Sequence, residues 1–253
     1  VAQAFGAHDY ARMRRYVKAS YMLSIFFAIL LSVACSLLCA DILRWMQTPE
    51  EIFEDAYIYL LITFVTSPCN LAYNLLASII RALGDSKTPF YFLLIGAVLN
   101  IGLDFLLILV FHMGVAGAAV ATAIAQTVSF LLCAIYMNKA FPILKSPAPA
   151  AERVRWRDVW FALSIGVPMG LQFSITAIGS IMLQSANNAL GTMYATAFTA
   201  AMRIKMFFIC PFENLGVALA TYCGQNLGAK KFDRIRAGLK DAIYIMLAYS
   251  LIA

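Results

Sequence analysis

The stretch FYFLLIGAVLNIGLDFLLILVF, residues 90–111, decides the fold of this chain, because it is an apolar run long enough to cross a bilayer. The run contains one acidic residue, Asp104, and an aspartate near the centre of a membrane helix costs roughly 2.5–3.5 kcal/mol to insert. Asn100 lies four residues earlier, so a helix places both side chains on one face. This cost and this pairing predict that Asp104 holds a cation or a proton inside a helical bundle. The alternative is a buried, hydrogen-bonded acid with only a packing role.

The composition extends the membrane interpretation to the whole chain. Hydrophobic residues make up 62% of the 253 residues, charged residues 13%, and the mean hydropathy is +0.80. Soluble domains are about a quarter charged, so we expect an integral membrane protein. The six cysteines lie in or beside apolar runs without the spacing of a disulfide or zinc framework, and two histidines are too few for a histidine-rich metal site.

Apolar runs of about 20 residues predict six complete membrane spans and one truncated span. The predicted spans are 19–43, 56–80, 90–111, 114–137, 159–187, 195–223 and a seventh that starts near Ala242. Three of them contain a proline (Pro68, Pro168 and Pro211), which membrane helices tolerate and which often marks a bend. Because the chain begins in mid-motif and ends inside an apolar run, we expect it to be a piece of a longer protein.

The basic residues occupy alternate loops, which predicts the orientation in the membrane. Four loops hold sixteen of the nineteen Lys and Arg residues: 8–18, 81–89, 138–158 and 228–241. The intervening loops are acidic or uncharged: 41–55, 112–113 and 188–194. Basic loops stay in the cytoplasm, so we expect the first four loops on the cytoplasmic side of a bacterial inner (plasma) membrane. This topology accounts for the net charge of +6 without a nucleic-acid partner.

A repeat with an offset of 222 residues joins the two ends of the chain. Six of eighteen positions are identical, namely Gln3, Gly6, Ala7, Arg12, Arg14 and Lys18, matched by Gln225, Gly228, Ala229, Arg234, Arg236 and Lys240. Six spans separate the copies, so both copies point the same way. This predicts two parallel six-helix repeats related by an axis along the membrane normal, as in many secondary transporters. The Pro/Ala-rich loop 138–158 is then the linker between two lobes.

Polar residues recur at helical spacing in three spans. They are Asn70, Asn74 and Ser78 in the second, Gly114, Ala118, Thr122 and Gln126 in the fourth, and Gln172, Thr176, Ser180, Gln184 and Asn188 in the fifth. Small and polar faces usually pack membrane helices together, and this alternative stays open for the fourth span. The large amides of the fifth span favour the wall of a water-filled cavity. Three charged residues of the sixth span allow several interpretations. Arg203 and Lys205 either extend their charged ends to the membrane surface, pair with Glu213 to hold helices together, or line such a cavity.

Several motifs in combination resemble the multidrug and toxic compound extrusion (MATE) transporters. They are RALGDSKTP at 81–89, NIGLD at 100–104, GVAGAAVATAIAQ at 114–126, GVP at 166–168 and the paired QxxGA at 3–7 and 225–229. The resemblance implies an all-α membrane bundle of two six-helix lobes, of which the chain carries the end of helix 2 to part of helix 9. Helices 3–6 then lie in 1–137, the inter-lobe loop is 138–158, and helices 7, 8 and part of 9 lie in 159–253.

The resemblance also implies a cation site in the amino-terminal lobe. The family positions for its ligands fall on Asn74, Asn100, Asp104 and Thr122, and Asp104 is the charged ligand for Na⁺ if the ion is a metal. A partner aspartate on helix 1 of the family is expected to lie outside this chain. Other members use a glutamate on helix 7, where this sequence has Thr176, so the Asp104 group is favoured.

The function that the resemblance implies is a cation-coupled antiporter exporting organic, cationic or amphipathic compounds by alternating access. The candidates for its substrate cavity are Gln172, Thr176, Gln184, Glu213 and Arg203. We expect a monomer in a lipid bilayer, with Na⁺ or H⁺ as coupling ion, no other cofactor and no enzymatic activity. One alternative is a lipid-linked saccharide flippase of the same superfamily, although only Arg203 and Lys205 could hold its pyrophosphate. A membrane-embedded transferase would need clustered carboxylates for Mg²⁺, which the spans lack.

Overall fold

The computed structural model describes residues 1–46, 48–145, 153–189 and 191–252, which form two compact units. The first unit comprises Val1 and Tyr10–Val154, and the second comprises Ala2–Asp9 and Arg155–Ala253. Regular structure in the described residues is entirely helical, which confirms the predicted all-α fold. The lobe boundaries at 1–137, 138–158 and 159–253 stay a prediction, and residues 146–152 of that loop lie outside the described part.

The helices follow the apolar runs of the sequence. In the first unit they are α2 (Tyr10–Leu37), α3 (Cys39–Trp45), α4 (Glu50–Ala82), α5 (Lys87–Asp104), a π-helix (Phe105–Val110), α6 (Gly114–Ala140) and a 3₁₀ turn (Pro142–Leu144). In the second unit they are α1 (Ala2–Gly6), α7 (Trp156–Ala189), α8 (Thr192–Gly228) and α9 (Phe232–Ile252). Pro68, Pro168 and Pro211 lie inside α4, α7 and α8, as the sequence predicts.

Six helices of the described part are long and apolar enough to cross a membrane. They cover Tyr10–Leu37, Glu50–Ala82, Lys87–Val110, Gly114–Ala140, Trp156–Asn187 and Thr196–Gly228. Each contains most or all of one predicted span, and α9 contains the start of the truncated seventh. The predicted count of complete spans is therefore confirmed, and the chain is an integral membrane protein.

The acidic segment 41–55 is largely helical rather than a loop, which differs from the sequence-based expectation. The predicted first span, 19–43, breaks at Leu38 into α2 and α3, and α4 begins at Glu50. Asp41 lies in the first turn of α3, and Glu50 and Glu51 lie in the first turn of α4. Carboxylates at helix N-termini are stabilised by the helix dipole, so these acids extend the helices beyond the apolar runs.

Helix α6 is the centre of the first unit and packs against both α4 and α5. Besides Ala119, its buried residues follow a spacing of four and are small except for the last: Gly117, Ala121, Ala125, Ser129, Cys133 and Met137. A Cβ on Gly96 of α5 would overlap the Ser129 hydroxyl, so the two helices approach closely there. The stripe expected from sequence, through Thr122 and Gln126, is the neighbouring one and is only half-buried.

The repeat is visible in the backbone, because the same turn closes α1 and α8. After α1, the N–H groups of Ala7, His8 and Asp9 donate to the carbonyls of Gln3, Phe5 and Ala4 at 3.0 Å each. After α8, residues 222 positions later make the same three bonds at 3.0, 3.1 and 2.9 Å. His8 and Lys230 occupy equivalent positions with φ of 56° and 57°. This six-residue turn is a standard helix terminus, and its duplication supports an internal repeat.

The two copies of the repeat also pack against each other within the second unit. A Cβ on Gly6 would overlap the backbone of Gln225, and a Cβ on Gly228 would overlap the backbone of Gln3. The contacts are thus reciprocal, as at an interface related by a two-fold axis. We call this crossing of α1 and α8 the glycine contact; it requires residues without side chains at both positions.

The motif at 81–89 is explained by a turn and a cap that join α4 to α5. Gly84 has φ of 102°, a conformation that L side chains rarely adopt. Asp85 Oδ1 accepts hydrogen bonds from the backbone N–H groups of Lys87 and Thr88 at 3.1 and 3.0 Å. Its Oδ2 accepts one from the Tyr136 hydroxyl of α6 at 2.7 Å. One carboxylate therefore caps α5 and fastens it to α6.

Replacement of Asp85 with asparagine is expected to lower stability by about 0.3–1 kcal/mol, because asparagine still caps a helix but lacks the negative charge that the helix N-terminus stabilises. Burial alone would raise the pKa of Asp85, but the hydrogen bonds from Thr88, Tyr136 and Lys87 outweigh it and lower the pKa below its ordinary value. The carboxylate thus contributes stability above an unfolded pKa of about 3.9, and this is lost as pH falls through the lower folded pKa.

Thermal unfolding of the purified protein between pH 3 and pH 7 tests this prediction. The wild type should lose part of its Tm advantage over Asp85→Asn as the pH falls below about 4. Tyr136→Phe removes only the hydrogen bond to Oδ2 of Asp85. Its Tm at pH 7 should therefore lie between those of the wild type and Asp85→Asn. A difference between wild type and Asp85→Asn that does not change with pH would contradict the assignment.

Candidate functional site

Polar side chains of α4, α5 and α6 surround a cavity of about 350 Å³ in the first unit. We call it the amide cavity; it is lined by Asn70, Tyr73, Asn74, Arg81, Leu93, Gly96, Ala97, Asn100, Thr122, Ala125, Gln126 and Ser129. Three of the four residues predicted for a cation site, Asn74, Asn100 and Thr122, therefore come together in one place. Gly96, Ala97 and Ala125 also line the cavity, and their small side chains leave room for the larger amide side chains.

Hydrogen bonds orient the amides so that oxygen atoms remain for a ligand. Asn100 Nδ2 donates to the Thr122 hydroxyl across α5 and α6 at 3.3 Å. Asn74 Nδ2 donates to the carbonyl of Asn70 at 2.9 Å and to its Oδ1 at 3.0 Å. Since both NH₂ groups are used as donors, the Oδ1 atoms of Asn74 and Asn100 are left to accept or coordinate. Neutral oxygens of this kind suit a hard cation such as Na⁺.

Asp104, the fourth predicted residue, lies one helical turn beyond Asn100 and is not among the residues that line the amide cavity. Its Oδ1 is buried and has no hydrogen-bond partner among the described residues. A buried oxygen without a partner is costly, and such groups in native proteins often mark a ligand or a catalytic role. A single carboxylate of this kind fits a small monovalent cation or a proton, and it lies one turn outside the cavity that brings the three neutral residues together.

The backbone changes its winding at Asp104. Helix α5 ends at this residue, and a π-helix continues from Phe105 to Val110. The next turn closes with bonds from Phe111 N–H to the Leu106 carbonyl and from Met113 N–H to the Leu107 carbonyl, both at 3.0 Å. π-helical segments are rare and occur frequently at functional sites. The widened turn places the acid of the NIGLD motif at a junction between two helical geometries.

Sequence reasoning did not assign Arg81 and Tyr73 to this site. Arg81 Nη2 donates to Ser78 Oγ at 2.9 Å, and the buried Tyr73 hydroxyl donates to the Pro89 carbonyl at 2.9 Å. Asn70 and Gln126 also line the amide cavity, and both belong to the polar stripes that the sequence shows. Arg81 was expected in a cytoplasmic loop, but α4 extends to Ala82 and carries it into the wall.

The candidates of the second unit lie on α7 and α8, where most are exposed. Gln172, Thr176, Arg203 and Glu213 are exposed, and Gln184 is half-buried. Thr176 Oγ1 donates to the Gln172 carbonyl at 2.9 Å, a bond within the helix. Arg203, Lys205 and Glu213 form no ion pair with one another within the described residues. The side chain of Asn188, the last member of the stripe, is outside the described part.

Ligands for a multivalent metal are not grouped in the described residues. No cluster of three or more His, Cys, Asp or Glu side chains occurs there. All six cysteines are free thiols, and Cys39 and Cys133 are buried.

Comparison with known proteins places the chain among membrane transporters. The MatE family model matches residues 1–106 and 167–253. The chain is 32% identical over 235 residues to the probable multidrug resistance protein YpnP of Bacillus subtilis, covering 93% of the chain and 52% of YpnP. It is 28% identical over 251 residues to the probable multidrug resistance protein YoeA of the same organism, covering 97% of the chain and 54% of YoeA.

The fold is similar to that of a solved MOP superfamily transporter from Pyrococcus furiosus, with a TM-score of 0.91 and 23% identity. This match covers 99% of the chain and 56% of that protein. The chain thus spans about half the length of the proteins it matches. Because the family model covers more than half of the chain, and a helical membrane fold accompanies it, the chain belongs to the MATE (MatE) family of membrane transporters.

Proposed function

We propose that the full-length protein exports organic compounds in exchange for Na⁺ or H⁺. The observation that carries this proposal is the buried Oδ1 of Asp104, which has no described partner and lies one turn from the amide cavity. The names of YpnP and YoeA, probable multidrug resistance proteins, support export of foreign compounds. The substrates proposed are cationic or amphipathic, and they would bind against the polar faces that carry Gln172, Thr176 and Gln184, with Arg203 and Glu213.

The proposed coupling uses a difference in cation affinity between two conformations. A cation at Asp104 neutralises a buried carboxylate, and the Oδ1 atoms of Asn74 and Asn100 replace part of its hydration shell. A ligand shifts a conformational equilibrium only by its difference in affinity for the two states. Bound cation would therefore favour one orientation of the transporter and bound substrate the other. A tenfold cation gradient supplies about 1.4 kcal/mol per ion for this exchange.

The proposal includes an orientation and a minimal set of partners. Loops 8–18, 81–89, 138–158 and 228–241 would face the cytoplasm of a bacterial inner membrane, because they carry most of the basic residues. The protein would act as a monomer in the bilayer, without a cofactor other than the coupling ion and without an enzymatic step. Of these points, the orientation follows from the charge distribution, and labelling of the loops from either side of the membrane tests it.

A second candidate is a flippase for lipid-linked saccharides. One observation favours it, namely that Arg81 lines the amide cavity beside several amides. A guanidinium in such a wall could bind the pyrophosphate of a lipid carrier. The exporter is preferred because the unpartnered acid would repel that same group.

Transport by the full-length protein in proteoliposomes distinguishes the two candidates. An imposed tenfold Na⁺ or H⁺ gradient should drive accumulation of a fluorescent organic cation up to a concentration ratio of about ten for one-for-one exchange, the limit that such a gradient sets at equilibrium. Dissipation of the gradient with an ionophore should stop it. Liposomes without protein should show no gradient-driven accumulation. Movement of a lipid-linked saccharide without any gradient-driven movement of the organic cation would instead favour the flippase.

A further inference from the structure

A second cavity in the first unit, of about 390 Å³, lies where α2 begins and α6 ends. We call it the basic cavity; it is lined by Arg14, Val17, Lys18, Tyr21, Leu76, Phe130, Ala134, Met137, Asn138, Phe141, Leu144 and Lys145. The lining of α2 follows the spacing 14, 17, 18 and 21, and that of α6 follows 130, 134, 137 and 138. Each set is one face of a helix, so two facing stripes form the walls.

Two side-chain contacts join the walls of the basic cavity and fix the turn that covers it. Arg14 Nη1 donates to the carbonyl of Ile143 at 2.9 Å, which fixes the 3₁₀ turn over the start of α2. Deeper in the cavity, the Tyr21 hydroxyl contacts the Met137 sulfur at 3.5 Å. The segment that follows α6 therefore brings Lys145 to the same cavity as Arg14 and Lys18.

The lining combines positive charge with apolar surface. Arg14, Lys18 and Lys145 are cations, and the described lining residues include no carboxylate. Seven of the other lining residues are fully apolar side chains of Val, Leu, Phe, Ala or Met. A free anion in water gains little from such walls, whereas an amphiphile with an anionic head group fits both parts.

An apolar groove continues from the basic cavity along α2 and α4. Its volume is about 250 Å³, and it shares Tyr21, Leu76 and Phe130 with the basic cavity. Its remaining lining is Ser24, Ile25, Ala28, Ile29, Pro68, Cys69, Ala72 and Leu75. None of these side chains carries a charge. The groove thus offers an acyl chain a place next to the three cations.

The position of the cations along α2 places them at the depth of lipid head groups. Helix α2 has 28 residues, which corresponds to about 42 Å of helix against a hydrocarbon core of about 30 Å. Arg14 and Lys18 lie in its first turns, at the level where head groups begin. Basic pockets between membrane helices at this level bind anionic lipid head groups.

We propose that the basic cavity and the apolar groove together bind one anionic phospholipid. Its phosphate lies among Arg14, Lys18 and Lys145, and one acyl chain follows the groove past Ala72. The two features are needed together, because the cations select the charge of the head group and the groove selects a lipid over a soluble phosphate. This site is separate from Asp104 and does not depend on the transport proposal.

Lipid titration of the purified protein in a neutral detergent tests the site, with bound lipid counted by native mass spectrometry. Phosphatidylglycerol should bind more tightly than phosphatidylcholine. Lys18→Gln with Lys145→Gln should weaken phosphatidylglycerol binding about 30-fold, since each Lys near a membrane surface contributes about a fivefold factor. Lys87→Gln with Lys139→Gln makes the same charge change outside the cavity and should leave the affinity unchanged.

A second variant addresses the groove and does not alter charge. Ala72→Leu should weaken binding of long-chain phosphatidylglycerol because it fills the groove, while the protein keeps its three cations. Equal binding of phosphatidylglycerol and phosphatidylcholine, or full affinity in the double lysine variant, would overturn the proposal. The proposal would also be overturned if millimolar inorganic phosphate raised the Tm as much as phosphatidylglycerol does, since the site would then hold a free anion.

Discussion

Replacement of Asp104 with asparagine in the full-length protein is expected to abolish cation-driven efflux while the fold remains intact. Asparagine keeps the shape of the side chain and removes its charge. Loss of one charge from a buried ionic contact costs about 3–5 kcal/mol, which corresponds to cation binding weaker by more than about 100-fold. Efflux driven by the gradient that powers the wild type should therefore fall to the level of protein-free liposomes.

Stability separates this effect from unfolding. In the cation-free protein, the carboxylate has a buried oxygen without a described partner, and a buried charge of this kind is unfavourable. Asp104→Asn should therefore have a Tm in cation-free buffer that equals or exceeds that of the wild type. A variant that is stable and inactive assigns Asp104 to coupling rather than to packing.

A matched variant controls for the loss of a negative charge. Asp41→Asn makes the same substitution at an exposed carboxylate, which contacts Arg44 at 3.8 Å. Exposed pairs contribute about 0–1 kcal/mol, so efflux and Tm should both stay near the wild-type values. Gradient-driven efflux at the wild-type rate in Asp104→Asn would refute the coupling role, whatever the result for Asp41→Asn.

The spans could be predicted because a bilayer imposes simple rules. Its thickness fixes the length of an apolar run, so the six complete spans follow from hydropathy. The grouping of Asn74, Asn100 and Thr122 is implied by the resemblance to the MATE family, and helical spacing shows only that polar residues share a face within each span. Helices outside the hydrocarbon have no such length constraint, so hydropathy does not predict the helical turns within 41–55.

Other features depend on packing that a single sequence does not specify. The stripe through Thr122 and the stripe through Ala121 differ by one residue, and both are rich in small side chains. Which stripe faces α4 and α5 is decided by close contacts such as Gly96 with Ser129. The π-helix after Asp104 likewise changes the hydrogen-bond register without any change in hydropathy. The position of Asp104 relative to the amide cavity could therefore be found only in the structure.

Introduction of a single methyl group at the glycine contact is expected to destabilise the packing of α1 on α8. A Cβ at Gly228 would overlap the Gln3 carbonyl and lie 2.9 Å from the Ala7 nitrogen. Backbone atoms cannot move aside by a rotamer change, so the helices must separate. Overpacking of this kind costs about 1–3 kcal/mol, and Gly228→Ala should lower the Tm in detergent accordingly.

The same interface provides a closely matched control. Gly224 lies one turn before Gly228 on α8, and a Cβ there would meet the Ala2 Cβ at 3.4 Å, an ordinary van der Waals contact. Alanine is also favoured over glycine in a helix by up to about 1 kcal/mol. Gly224→Ala should therefore leave the Tm unchanged or raise it, although the substitution is chemically identical and only four residues away.

Because the glycine contact is reciprocal, the single variants at Gly6 and Gly228 and their combination should have related losses of stability. Gly6→Ala would overlap the Gln225 backbone and should cost about as much as Gly228→Ala, since the two clashes are equivalent. Once either clash has separated the helices, the second methyl meets less resistance. The double variant should then lose less stability than the sum of the single variants, with a coupling energy of about 0.5–3 kcal/mol. Additive losses would mean that the two copies of the repeat do not share one crossing.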